Sequence, residues 1–149
     1  MLLRQISYIN RPPAVVWPYI ITPELFAMWN DKVQEIGARD RFQAGQKFTT
    51  NYLWKGKAMQ CMSMVTRIEE GRLLEIRHER CLGSKIRHDM VVTERINLSG
   101  GVERSTVTKN IIVTNHGVPW IFIPCIWFVS RFGKSMGEDK LKRLCEGKE

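Results

Sequence analysis

The run VPWIFIPCIWFVSRF at positions 118–132 narrows the choice of fold more than any other stretch of this chain. It is too short, and too soon followed by charge, to cross a bilayer, which takes about 20 apolar residues. It is apolar around nearly its whole circumference, so a single flat face cannot account for all that it buries. GKSMGEDKLKRLCEGKE follows, with Met136, Leu141, Leu144 and Cys145 at helical spacings. Together these segments predict one long C-terminal helix, kinked or begun near Pro119 and Pro124. A stripe of Ile121, Cys125, Phe128 or Val129, Phe132 and Met136 is expected to face the sheet, with Trp120 and Trp127 elsewhere around the axis.

The rest reads as strands. LLRQISYINR (2–11) alternates, and Arg11-Pro12-Pro13 ends it because proline has no N–H for a ladder. AVVWPYII opens a short helix after the prolines. Thr22-Pro23-Glu24 reads as a cap, a first-turn proline and an acid that start a second short helix, PELFAMWN. Strands are then expected at 33–40, 46–54, 58–70, 72–80, 85–99 and 102–115, with turns near Gly56, Gly71, Gly83 and Gly100-Gly101. No repeat or linker interrupts them, so residues 1–149 are expected to form a single domain.

Two hairpin registers can be tested on paper. Pairing about Gly83 with partner numbers summing to 166 sets Glu79 against Arg87 and Arg77 against Asp89 on one face. It sets Leu74, Ile76 and His78 against Val92, Met90 and His88 on the other. Pairing about Gly100-Gly101 sets Ile96 against Val107 and Val92 against Ile111, with Glu94 beside Lys109. If the last two point inward they form a buried ion pair, which only good geometry makes tolerable.

Composition removes several function classes. The four cysteines, Cys61, Cys81, Cys125 and Cys145, show neither a C-x-x-C pair nor zinc-like spacing, so a reduced, cytoplasmic protein is expected. MLLRQISYINR lacks the sustained apolar stretch of a signal peptide. The formal net charge is +8, yet the basic residues alternate with acids and never run to five, so no nucleic-acid partner is expected.

The order strand, two short helices, six further strands and a long terminal helix is the helix-grip arrangement. RPPAVVWPYIITPELFAMWNDKVQEI resembles the opening of the START-like superfamily, which includes polyketide cyclases/dehydrases, lipid-transfer domains and plant pollen allergens. VTRIEEGRLLEIRHE resembles its fourth and fifth strands, with Glu70-Gly71 where that turn often holds a proline. EDKLKRLCEGK resembles the close of its last helix. The resemblance implies an α+β fold: a curved seven-stranded antiparallel sheet around the C-terminal helix, with an elongated cavity between them. It also implies a sterol, lipid, polyketide or other apolar guest in that cavity, and no cofactor.

The candidate lining follows from facing and chemistry. Tyr52 and Trp54 share a strand face with Phe48, and their hydroxyl and indole N–H suit a ligand's polar end. The resemblance places Trp29 at the cavity mouth. Met64 and Met90 belong to a methionine-rich set of strands that adapts to varied guests, and Phe128 comes from the helix. His78 and His88, facing one another inward, are candidate acid/base groups or polar anchors; no metal site is indicated. His116 is expected in solvent. Three readings follow: a carrier of an apolar small molecule or lipid, a cyclase/dehydrase using His78 or His88, and an interaction module. Trp120 and Trp127, near Arg131 and Lys134, suit transient contact with a membrane surface.

Overall fold

The computed structural model describes residues 2–54, 57–82, 89–132 and 139–147. Strand β1 (Leu2–Ile9) leads into helices α1 (Pro13–Ile21) and α2 (Pro23–Trp29), followed by β2 (Val33–Ile36), β3 (Lys47–Trp54), β4 (Lys57–Glu69), β5 (Leu73–Leu82), β6 (Val91–Gly100) and β7 (Ser105–Thr114). A short 3-10 turn at Trp120–Phe122, α3 (Ile123–Phe132) and α4 (Lys140–Glu146) complete the order. The strands form one seven-stranded sheet, β1-β7-β6-β5-β4-β3-β2, with every pairing antiparallel. This is the α+β helix-grip arrangement.

Prolines divide the helical insert. Pro23 disfavours helical geometry at the residue before it, and Thr22 is extended at φ −97° and ψ 117°. Helix α1 therefore stops and α2 restarts at once, giving two short rods that bend over the sheet. Thr22 occupies the cap position without a side-chain cap hydrogen bond. Gly71 turns β4 into β5 at φ +71°, a left-handed geometry that glycine adopts without steric cost. The core lies between the concave sheet face and the helices. Val16, Ile20 and Phe26 meet Leu74, Ile76, Ile96 and Val107 there, with Leu141 and Cys145 of α4.

Three expectations are corrected, and with them the placing of His116. The first is the single long helix. Asp139 is non-helical at φ −69° and ψ 84°, and its carboxylate accepts from the Lys142 N–H, so α4 begins afresh there and runs only seven residues. Nor do the described members of the predicted stripe turn away from solvent: Ile121 of the 3-10 turn and Phe128 of α3 are 61% and 59% exposed, and Cys125 is exposed, while the side chains at 129, 132 and 136 lie outside the described residues.

The second is register. Leu74 pairs with Ile96 and His78 with Val92, a shift of four residues from the paper pairing, because β6 begins only at Val91. An even slip preserves faces, so Leu74, Ile76 and His78 still point inward, but His78 does not face His88. The cross-strand charge pair falls instead at Glu75 and Arg95, 2.7 Å apart. The β6–β7 register moves by two, setting Ile96 against Lys109 and Glu94 against Ile111.

The third is the thiols. Cys61 and Cys81 form a disulfide between β4 and β5, with Cα atoms 4.1 Å apart. Cys145 is buried and Cys125 exposed. His116 is half-buried, its Nδ1 accepting from the Val118 N–H at 2.9 Å.

Candidate functional site

Alternation decides which side chains reach the concave face, because successive residues of a strand point to opposite sides. Thr50 and Tyr52 of β3, Ser63 of β4, His78 of β5, Glu94 of β6 and Lys109 of β7 are all buried there. Each strand from β3 to β7 thus contributes a polar group at one level of the wall. Ser63 pairs directly with His78, and Lys109 with Gln5 of β1. Glu94 is the two-residue diagonal neighbour of both His78 and Lys109. The result is a polar belt through an otherwise apolar face.

From Thr50 to Glu94 the belt is hydrogen-bonded throughout, whereas Lys109 meets Glu94 as an ion pair and Glu94 Oε2 accepts no hydrogen bond among the described residues. Thr50 Oγ1 lies 2.8 Å from Ser63 Oγ, and Ser63 Oγ lies 2.7 Å from His78 Nδ1. His78 Nε2 lies 2.8 Å from the Tyr52 hydroxyl, which donates to Glu94 Oε1 at 3.1 Å. An ionised carboxylate only accepts, so the directions follow by elimination. Tyr52 gives its proton to Glu94 and accepts from His78 Nε2–H; with a neutral imidazole Nδ1 then accepts from Ser63, and Thr50 donates to Ser63. All the donors point toward Glu94, an arrangement in which each bond polarises the next.

Lys109 closes the far end. Its ammonium is 3.4 Å from Glu94 Oε2 and lies over the Trp29 ring at 5.4 Å from the centroid. Burial alone would raise the Glu94 pKa, but the Lys109 charge, His78 and the Tyr52 hydrogen bond outweigh it and hold the carboxyl well below the usual range. The same surroundings act oppositely on Tyr52. Burial, then the Glu94 charge and the bond to it, push the phenol well above its ordinary value.

Beyond Lys109 opens a cleft of about 160 Å³. Its walls are Gln5 and Ser7 of β1, Val107, Lys109 and Ile111 of β7, the segment Trp29–Lys32 after α2, and Lys140 and Leu141 of α4. Trp29 is held in place by its indole N–H, which donates to the Tyr19 carbonyl at 2.7 Å. Asp31 and Lys140 form an ion pair across the mouth.

The sequence-derived candidates separate into groups. Trp29 lines the cleft. Tyr52 and His78 lie in the belt behind it and do not line it. Met90 packs half-buried against the core. Met64 pairs with Arg77 on the opposite face from Ser63 and His78. Phe128 is exposed on α3, away from the cleft. Trp54 ends β3, and its side chain, like the whole of His88, lies outside the described residues. Sequence reasoning missed Ser63, Thr50, Asn30 and Lys32 as site residues. For Glu94 and Lys109 the signal was a charged residue at an inward position in each of two adjacent strands. Among the described residues, no group of three or more His, Cys, Asp or Glu side chains is placed to hold a metal ion.

No protein-family model matches the sequence, and no curated protein matches it either. Solved structures do. A START superfamily protein from Mycobacterium smegmatis superposes with a TM-score of 0.64 at 11% identity, covering 84% of this chain and 85% of that one. Ara h 8.0201 gives 0.60 at 14% identity over 99% of this chain and 95% of its own. DynU16, from the dynemicin biosynthetic locus, gives 0.61 at 18% identity over 97% of this chain, which spans only 47% of DynU16. Identities this low carry the architecture and not the activity, and what they establish is that this chain has the START-like, helix-grip fold.

Proposed function

We propose that this chain binds and carries an apolar small molecule or lipid-derived molecule in the cleft between the β1/β7 side of the sheet and the helices. The observation that carries this reading is the cleft itself, where Trp29, Val107, Ile111 and Leu141 supply apolar wall and a few convergent polar groups supply orientation. The START-like fold supports it, as does the resemblance noted from the sequence. The guest is compact, because the cleft offers only about 160 Å³. Native mass spectrometry of the purified protein, followed by organic extraction, is the test. A co-purifying small molecule lost on Leu141→Trp, which fills the cleft, supports the reading. A protein that is empty and takes up no apolar probe overturns it.

The cyclase/dehydrase alternative draws on the hydrogen-bonded path from His78 through Tyr52 to Glu94. Its imidazole is 2% exposed and is not part of the cleft wall, so His78 serves better as a support for Glu94 than as an acid or base on a guest. Contact with a membrane surface draws on Trp120 and Phe122, 81% and 56% exposed beside the exposed Trp127 and Phe128. These side chains offer a surface at which an apolar cargo is exchanged.

A further inference from the structure

Helix α3 packs against β1, an edge strand of the sheet. None of its described residues is among the cleft walls, so its surface is separate from the carrier site. Ile123 and Ile126 are half-buried, whereas Trp120, Ile121, Phe122, Trp127 and Phe128 are each more than half exposed. Ile121, Cys125 and Phe128 follow one another by four and three residues, the spacing of a single helix face. All three are exposed. The face turned to solvent is therefore an apolar one.

Size identifies the kind of partner. A buried aromatic side chain contributes about 150–250 Å², so the exposed fractions of Trp120, Phe122, Trp127 and Phe128 amount to roughly 500 Å² of apolar surface. A standard interface covers about 800 Å² on each partner, and about 65% of a homodimer interface is apolar. The patch is thus close to what one half of a stable dimer contributes. Composition points the same way, since no Asp, Glu, Lys or Arg occurs from 118 to 130. The centre of a protein interface is depleted in charge and enriched in aromatic residues. A helix lying in a membrane surface instead carries a strongly charged face rich in Lys and Arg.

We propose that the outward face of α3 and of the 3-10 turn before it docks on the same face of a second copy of this chain. An apolar face of this kind is complementary to itself, as a two-fold contact demands, and Cys125 lies near the centre of that contact. The net charge of +8 on each copy opposes the encounter, so salt, which screens that repulsion, strengthens the dimer. Attachment of the same patch to an anionic membrane responds to salt in the opposite direction.

Sedimentation equilibrium of the full chain tests this, on protein that a non-reducing gel shows to carry no intermolecular disulfide. Across about 1–500 μM, a range suited to an interface of ordinary size, the apparent mass is expected to rise from monomer toward dimer. The dissociation constant should fall as NaCl is raised. Trp120→Glu and Phe122→Glu set like charges against each other across the two-fold, and each counts twice, so each should weaken the dimer about a hundredfold. Both side chains are exposed, and circular dichroism reports that the variants fold. In the parent chain, alkylation of Cys125 by iodoacetamide should slow several-fold as concentration rises, a readout that needs no variant. A chain that stays monomeric across that range overturns the proposal, and binding of that monomer to phosphatidylserine vesicles, lost in Trp120→Glu, assigns the patch to a membrane instead. A dimer that loosens with salt is held by charge and overturns the apolar contact. A dimer that both glutamate variants retain at parental strength, or in which Cys125 is alkylated at an unchanged rate, overturns the assigned face.

Discussion

Lys109 is the side chain at which two environments meet, a buried carboxylate on one side and a cleft on the other. Removing its charge strands Glu94, which is 4% exposed. Breaking a buried pair in this way costs about 3–5 kcal/mol, so Lys109→Met is expected to lose about that much in urea denaturation. The Glu94→Gln/Lys109→Met double variant should recover part of the loss, and strict additivity of the two changes would show that the pair is not coupled. Tyr52→Phe deletes the donor to Glu94 and the acceptor for His78, and should cost about 1–3 kcal/mol by the same measurement. The depressed Glu94 pKa has a definite sign. The folded state holds this proton more weakly than the unfolded chain, so its contribution is complete above the ordinary value of 4.5 and is lost as pH falls below it. Acid titration of stability should be visibly flatter below that value in Glu94→Gln. This level of detail was only partly legible in the sequence. Glu94 and Lys109 were marked as a possible inward pair by alternation alone, whereas Ser63 and Thr50 look like ordinary strand residues until the pairing brings them to His78.

Strands and short helices were legible because each carries its own punctuation: prolines at 12, 13 and 23, and glycines at 71 and 100. Register was less so. Faces survive an even slip, and nothing in the residues 83–90 declares where β6 begins, so the His78–His88 pairing failed while the inward set held. The long helix failed for a local reason. Asp139 offers its carboxylate to the Lys142 N–H, a capping bond that competes with continuing the helix. Asp139→Ala removes that cap and should cost about 0.5–2 kcal/mol. Hydrogen exchange should then show α4 opening earlier than in the parent, and unchanged exchange there would mean that packing alone positions it. The apolar run at 118–132 told the truth about composition but not about burial, since hydrophobic periodicity does not say which neighbour covers a helix.

For the molecule as a whole, the expected architecture was readable and the expected redox state was not. Cys61 and Cys81 are separated by 20 residues, and only the β4–β5 pairing shows them to be adjacent. Thiol titration of the denatured, unreduced protein should detect Cys125 and Cys145 alone. Reduction should lower stability by about 2–4 kcal/mol, and reactivity of all the cysteines without a reductant would contradict the bridge. No described helix is long and apolar enough to cross a membrane. The bridge also gives the half-barrel a stiff side and a soft side. In mid-sheet β4 and β5 are covalently pinned, whereas the β1 edge is roofed by a seven-residue helix anchored through Leu141 and Cys145. Lifting of that small roof is therefore expected to precede any parting of β4 from β5, read as earlier hydrogen exchange in α4 than in the two bridged strands.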